Sequence, residues 1–347
     1  MKYKLLSVSK SDKLLCVNIG DYIQALASSQ FYPRIDGFID RDMELNSYNE
    51  EPCKMIMNGW YLHNPLNWPP SDKINPLFVA FHINSTAKDR LLSTESLDYL
   101  KKHQPIGCRD LRTMELLQQK GVESYFSGCM TLTLGKKYHS DIKEDKTYIV
   151  DPFYDGVINF NKSIISIFEF IKNPFDIIKL LKNKGLKIHD GRNLILKFLK
   201  TSLYYREYRK IFGRQILIDS IYITQDSYMY QKQFHSDEER LKEAERLVKL
   251  YSRARLVITS RIHCALPCLG LETPVVYLQK VEDSEASSCR LDGLLDLFNI
   301  VKVYKGSLIP NFEIKHLITK DNVPQNKSLW KKYASQLCES CSKFILE

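Results

Sequence analysis

No stretch of this 347-residue chain approaches the ~20 uninterrupted apolar residues that a membrane-crossing helix needs. A helical span is therefore not expected, although 44% of the residues are hydrophobic. The opening residues, MKYKLLSVSKSDKLLCVNIGD, offer only short apolar runs broken by Lys and Ser, a poor secretory leader. A regular cysteine framework is lacking too. The nine cysteines are odd in number and irregularly spaced, as expected of reduced thiols in the cytoplasm. Cys338 and Cys341 form a CxxC with no second pair, weak ground for zinc, while Cys264 and Cys268 lie one helical turn apart as buried hydrophobes do. GxGxxG, GxxxxGKS/T, HExxH and GxSxG are all missing. With them go the dinucleotide fingerprint and the signatures of P-loop ATPases, zinc peptidases and serine hydrolases. Internal repeats and low-complexity tracts are absent as well.

Acidic residues are scarce in one region. Residues 161–214 hold thirteen Lys and Arg against four Asp and Glu, an excess equal to the whole chain's formal charge of +9. The remainder is neutral, which argues against a protein that coats itself in nucleic acid.

What is present is an alternation of apolar runs with amphipathic segments, the pattern of an α/β protein with parallel strands. Strands are expected at KLLCV (Lys13 to Val17), PLFVAFHI, PIGC, VESYFSG, TYIVD and RLVITS, with helices at YIQALASSQF, DLRTMELLQQKG and SDEERLKEAERLVKLYSRA. In the last of these, Ser236 and Glu239 form a capping box, and Leu241, Ala244, Leu247 and Leu250 a helical stripe. The polar stretch Gly135 to Lys146 reads as a linker. The chain thus divides into a first Rossmann-like domain, 1–140, and a second, 141–327, which carries the Lys-rich helical insertion 161–214. A terminal helix, 328–347, packs back toward the first domain.

Candidate site residues stand at strand ends, where open parallel sheets bind ligands. Arg261 and His263 follow LVITS; a guanidinium pairs bidentately with carboxylate or phosphate, and an imidazole trades protons near neutrality. The plain alternative is an Arg tied to a structural carboxylate and a His satisfied by backbone. Pro267 is expected to delay the start of the following helix. Arg109 repeats the strand-end placement after PIGC, with Asp110 beside it as a structural partner. His82 closes PLFVAFHI. Gly20 allows close backbone approach in NIGDYIQALA, and Asp21 either caps the helix or faces the cleft as a base. Trp60, Tyr61, His63 and Trp68 fall in a Pro-rich stretch read as a loop, either stacking on a sugar or anchoring the loop to the core.

These stretches resemble the polysaccharide pyruvyl transferase family. The residues that carry the resemblance are NIGDYIQALA, IMNGWYL, PLFVAFHI, GCRDLRTMELLQQKGV with GCMTLTL, and above all YSRARLVITSRIHCALPCLGLETPVVYL. The resemblance implies two Rossmann-like halves facing a cleft in a glycosyltransferase-B-like architecture. It implies transfer of a pyruvyl ketal from phosphoenolpyruvate onto two hydroxyls of a sugar, with release of phosphate. Arg261, Ile262 and His263 match the donor-binding stretch, and Arg109 a further basic position. The implied catalytic set is His263 as general acid, His82 as a ligand or second acid, and Asp21 as base. Asn18, Gln24, Trp60, Tyr61 and His63 are expected on the acceptor side. No metal or cofactor is called for beyond the co-substrate, because arginines neutralise the phosphate.

Residues 161–214 have no placeable counterpart in the family. As ordinary helices they would turn their apolar stripes to the core; as interfacial helices they would lie on an anionic membrane where lipid-linked sugars are assembled. Two other functions fit the same cleft: a nucleotide-sugar-dependent glycosyltransferase, and a glycan- or lipid-binding protein without chemistry. Retention of Arg261, His263 and Arg109 together speaks against the last.

Overall fold

A computed structural model describes residues 1–8, 17–61, 64–188, 193–225, 227–281 and 289–347. The strands are β1 (Lys2–Tyr3), β2 (Leu5–Ser7), β3 (Phe38–Asp40), β4 (Cys53–Tyr61), β5 (Ile74–Ile83), β6 (Ile106–Cys108) and β7 (Ser124–Phe126) in the first part of the chain. They continue with β8 (Thr147–Val150), β9 (Ile221–Ile223), β10 (Leu256–Thr259), β11 (Val275–Lys280), β12 (Asn299–Tyr304) and β13 (Ser307–Pro310). Of the expected strand Lys13 to Val17, residues 13–16 lie outside the described residues.

The protein is a mixed α/β structure with two main sheets. One runs in the order β1-β4-β5-β6-β7 and is parallel throughout; β2 and β3 pair separately. The other runs β13-β12-β11-β10-β8-β9, parallel except for the β12–β13 hairpin. In this second sheet the chain leaves β8 for β9 on one side and returns to β10 on the other. The order reverses between β8 and β10, so their carboxyl ends flank the crevice where such sheets take ligands.

The helices that matter below are α1 (Ile19–Ser29), α2 (Leu111–Gln118), α3 (Phe160–Lys172), α4 (Pro174–Lys182), α5 (Leu194–Tyr208), α6 (Asp237–Ser252), α7 (Ile262–Gly270) and α8 (Trp330–Leu346). Several start where the sequence supplies a cap, and α4 starts at Pro174, which needs none. Asn18 accepts from the Gly20 N–H, Asp110 from Thr113 and Ser236 from Glu239. The Glu239 carboxylate reaches back to the His235 N–H at 2.7 Å, closing a box one residue earlier than the motif suggests. Pro267 sits inside α7, and the helix nonetheless begins at Ile262. The expected late start is therefore corrected.

Three apolar clusters form the interior. One lies within the first sheet's layer and holds Tyr61, Trp68, Phe78 and Phe81; another packs α4 and α5 on the second sheet. The third is shared, built from α1 together with α6, α7 and α8. There the Tyr22 hydroxyl donates to Asp237 at 2.7 Å and receives from Arg240 at 3.3 Å. Helix α8 lies against the first sheet, its Phe344 carbonyl accepting from Lys54 Nζ at 2.6 Å. The stretch read as a linker contains a helical turn, Gly135–Tyr138, and is tied down by Lys143, which donates to the Ser252 carbonyl.

Candidate active site

The carboxyl ends of both sheets open on one cavity of about 310 Å³. From the second sheet come Arg261, Ile262 and His263, directly after β10, and Gln225 after β9. From the first part of the chain come Asn18, Gly20 and Asp21 at the head of α1, Arg41 after β3, Trp60 on β4 and Arg109 after β6. Arg290 completes the lining.

Arg261 is the N-cap residue of α7, and no side chain caps that helix. Its first-turn N–H groups therefore stand at the positive end of the helix dipole without a side-chain acceptor, an arrangement that favours anions. The Arg261 Nε donates to Asp151 Oδ2 at 2.7 Å, yet the side chain remains 49% exposed. A carboxylate therefore orients the guanidinium, and the residue lines the cavity. Asp151 ends β8 with a φ of +45°, and its Oδ2 also accepts from the Gln225 N–H at 3.0 Å. Asparagine tolerates that backbone while discarding the charge. Asp151→Asn is thus expected to keep the melting temperature close to wild type and, on the function proposed below, to raise the donor KM about tenfold through a loosened Arg261. Asp151→Ala is expected to melt lower as well, because a non-Gly residue without local hydrogen bonding costs about 1 kcal/mol or more at positive φ.

His263 is half-buried, but its Nε2 has no hydrogen-bond partner and almost no contact with solvent. Burial first, then the guanidinium groups of Arg109 and Arg290, push the imidazole down to about 3. The imidazole is therefore neutral at pH 7. Above it passes the head of α1: a Cβ on Gly20 would stand 2.6 Å from His263 Nδ1. Glycine here is a matter of space. Gly20→Ala is expected to fold normally, to displace the imidazole and, on the function proposed below, to lose more than tenfold in turnover. Turnover at the wild-type level would show that the imidazole need not sit where α1 holds it.

Arg109 is 5% exposed, its Nε lacks a partner, and among the described residues no carboxylate forms a salt bridge with it. Burial holds its guanidinium below the ordinary value, with Asp110 opposing. Arg290 is brought near by a backbone bond from the Leu111 N–H to the Asp292 carbonyl, 3.3 Å, which joins the start of α2 to the 289–294 segment. The cavity thus gathers Arg109, Arg290, Arg261 and a neutral His263.

Several expected residues stand elsewhere. His82 is not a cleft residue: it is 3% exposed, and its Nδ1 is held 2.6 Å from Asp110 behind Arg109. Burial, then Arg109, lowers its imidazole against the pull of Asp110. Its expected catalytic role is corrected to support of the Arg109–Asp110 turn. Trp60 and Tyr61 belong to β4, not to a loop. Tyr61 is fully buried, 4.9 Å from Phe81 and 5.6 Å from Trp68 between ring centres, and cannot meet an acceptor. Gln24 is buried below the cavity, where its amide donates to Asp21 at 3.2 Å. Trp60 does line the cleft, with the Arg41 guanidinium 4.8 Å above its ring. Arg41 is itself held by Asp42 at 2.8 Å. His63 lies outside the described residues.

Arg41, Asp151, Gln225 and Arg290 were not singled out from the sequence. Asp151 carried a usable signal, since it closes the apolar run TYIV as Arg261 closes LVITS. Arg290 carried none. Among the described residues, no group of three His, Cys, Asp or Glu is placed to hold a metal.

No curated protein matches the chain. Among solved structures it aligns with a functional uncharacterized protein from Klebsiella pneumoniae at 11% identity and a TM-score of 0.43, covering 85% of this chain and 88% of that one. The profile described as Polysaccharide pyruvyl transferase matches residues 18–279, from the cap of α1 to the end of β11. The chain belongs to the polysaccharide pyruvyl transferase family.

Proposed function

We propose that this cleft binds phosphoenolpyruvate and transfers its pyruvyl group to two hydroxyls of one sugar in a polysaccharide or lipid-linked oligosaccharide. The observation that carries the reading is Arg109, a buried guanidinium with an unmade hydrogen bond, beside Arg290 and across the cavity from Arg261. Phosphoenolpyruvate brings a carboxylate and a phosphate that is mostly dianionic at neutral pH. Each hydrogen bond to a charged group contributes about 1.5–3 kcal/mol net. Arg109 and Arg290 on one side, with Arg261 and the head of α7 on the other, give both anionic ends a partner. In this reading the halves 1–140 and 141–327 are Rossmann-like units of a glycosyltransferase-B-like pair, with 328–347 returned to the first. The reaction runs in the cytoplasm and needs no cofactor besides the donor.

The chemistry balances as follows. A proton passes to the methylene carbon, making it methyl and the central carbon electrophilic. One sugar hydroxyl adds to that carbon and gives up its proton, and the C–O bond to phosphate breaks. The neighbouring hydroxyl then closes the ketal and gives up its own proton. One of the two released protons restores the acid, and the other leaves with hydrogen phosphate. Doubly anionic donor lifts the affinity of His263 for a proton, which makes it the acid only once the donor is bound. Asp21, at the head of α1, is the base, and Trp60 stacks on the acceptor ring.

The test is incubation with phosphoenolpyruvate and lipid-linked oligosaccharide acceptors. Release of inorganic phosphate and an acceptor heavier by one pyruvyl group are expected. Phosphate release without acceptor modification, or turnover only with a nucleotide-sugar, would overturn the reading.

A further inference from the structure

Helix α3 is built inside out. Phe160, Ile164, Ile167, Phe168 and Ile171 recur at the spacing of one helical face, and all five are exposed. The inward face is narrower: Ser166 is buried, its hydroxyl donating to the Leu199 carbonyl of α5 at 3.1 Å, and Ile165 and Phe170 pack on the interior, the Phe170 ring centre 5.1 Å from that of Phe198. The neighbouring helices also expose large apolar side chains, Phe175 and Ile178 of α4 and Leu194 and Ile195 of α5. Phe160, Phe175 and Leu194 are each between 78 and 84% exposed. The expectation that these stripes face the core is corrected for α3.

The same segment carries the chain's entire excess of positive charge. Its described acids are engaged internally. Asp176 is bound by Arg214 and Tyr205, Glu207 by Lys210, and Glu169 accepts from Asn173. Among the described residues, the exposed Lys172, Lys182 and Lys184 have no carboxylate partner. An exposed apolar stripe rimmed by free cations is the composition of a helix that lies in the interface of an anionic bilayer.

We propose that α3, α4 and the first turn of α5 form a docking surface for an anionic lipid membrane. Charge complementarity selects this occupant. A second copy of the chain would set the same cationic excess against itself, and a nucleic acid would leave the phenylalanines and isoleucines without a use. A bilayer takes both, the lysines at the headgroups and the aromatic rings at the acyl boundary. The surface also stands where the cleft can use it. It begins within ten residues of Asp151, and the lead-in is anchored by Asp155, which accepts from the Lys305 and Gly306 N–H groups at 2.9 and 2.7 Å. Presentation of a lipid-anchored acceptor to the cleft rests on the function proposed above; the docking itself does not.

The test is flotation of the full chain with vesicles of phosphatidylcholine alone or mixed with phosphatidylglycerol, in low and high salt, without donor or acceptor. Flotation is expected with the anionic vesicles, falling at least tenfold with neutral vesicles or high salt. Phe168→Glu with Ile171→Glu is expected to abolish it while leaving the melting temperature and turnover on a soluble acceptor unchanged, because both side chains face solvent. Absence of flotation with anionic vesicles, or flotation undiminished in the double variant, overturns the proposal. So does a lipid-free dimer in sedimentation that the same variant dissolves, which would assign the surface to a second copy. Failure of pyruvyl transfer with flotation intact would leave the docking standing and remove only the function.

Discussion

Replacing Arg109 by methionine is expected to lower turnover of phosphoenolpyruvate by at least two decades while leaving the fold as stable as before, or more so. The two effects have opposite signs for one reason. The guanidinium is 5% exposed, and its Nε has no partner. A buried charge without an ion pair is held there at a cost, and well-packed apolar replacements of such groups are commonly neutral or stabilising by about 1–4 kcal/mol. The same group, aimed at an arriving phosphate or carboxylate, is a preorganised electrostatic contact of the kind whose loss costs about two to three decades. Thermal melting alongside kcat/KM checks both halves. A large drop in stability with little change in turnover would mean that Arg109 serves the interior and not the donor.

His263→Gln is expected to cost two decades or more in turnover, the size of a lost general acid, and to remove a proton uptake that accompanies donor binding. The unfolded imidazole protonates near 6.5 and the folded one near 3. Between those values the unfolded chain binds the extra proton, so stability falls as pH falls through this window and is indifferent to His263 above it. On the function proposed above, donor binding reverses the local field: a carboxylate and a phosphate beside Arg109 and Arg290 outweigh the two guanidinium groups that disfavour the imidazolium. The bound complex is then expected to take up a proton, increasingly so as pH is lowered from neutrality. Calorimetry in buffers of different ionisation enthalpy measures the uptake directly. Equal uptake in wild type and His263→Gln would assign the proton to the phosphate alone and leave the acid unidentified.

The strand ends carried most of what the sequence could say about the cleft. LVITS and PIGC are short apolar runs closed by an Arg, and both arginines line the cavity because parallel strands deliver their carboxyl ends to one edge. The stretch before the prolines misled. NGWYLHNPLNWPP reads as a loop because Pro65, Pro69 and Pro70 punctuate it, yet its NGWY closes a nine-residue strand, Cys53–Tyr61, buried on both faces, which shows no alternation to detect. Tyr61 went with it into the core. Arg41 sits between Asp40 and Asp42, and only the fold sets it over Trp60. Arg290 reaches the site through a backbone bond between distant segments, which no local pattern encodes. The stripe of α3 was visible, but periodicity tells which residues share a face and not what that face meets.

Calorimetric titration of phosphoenolpyruvate into the wild-type chain and into Arg109→Met and Arg261→Ala tests the convergence of charge most directly. The account predicts a single site in the wild type and a marked loss of affinity in each variant, because the donor is held by both sides of the cleft at once. Undiminished binding in either variant would mean that one side holds the donor alone, and the two-sided site would have to be abandoned.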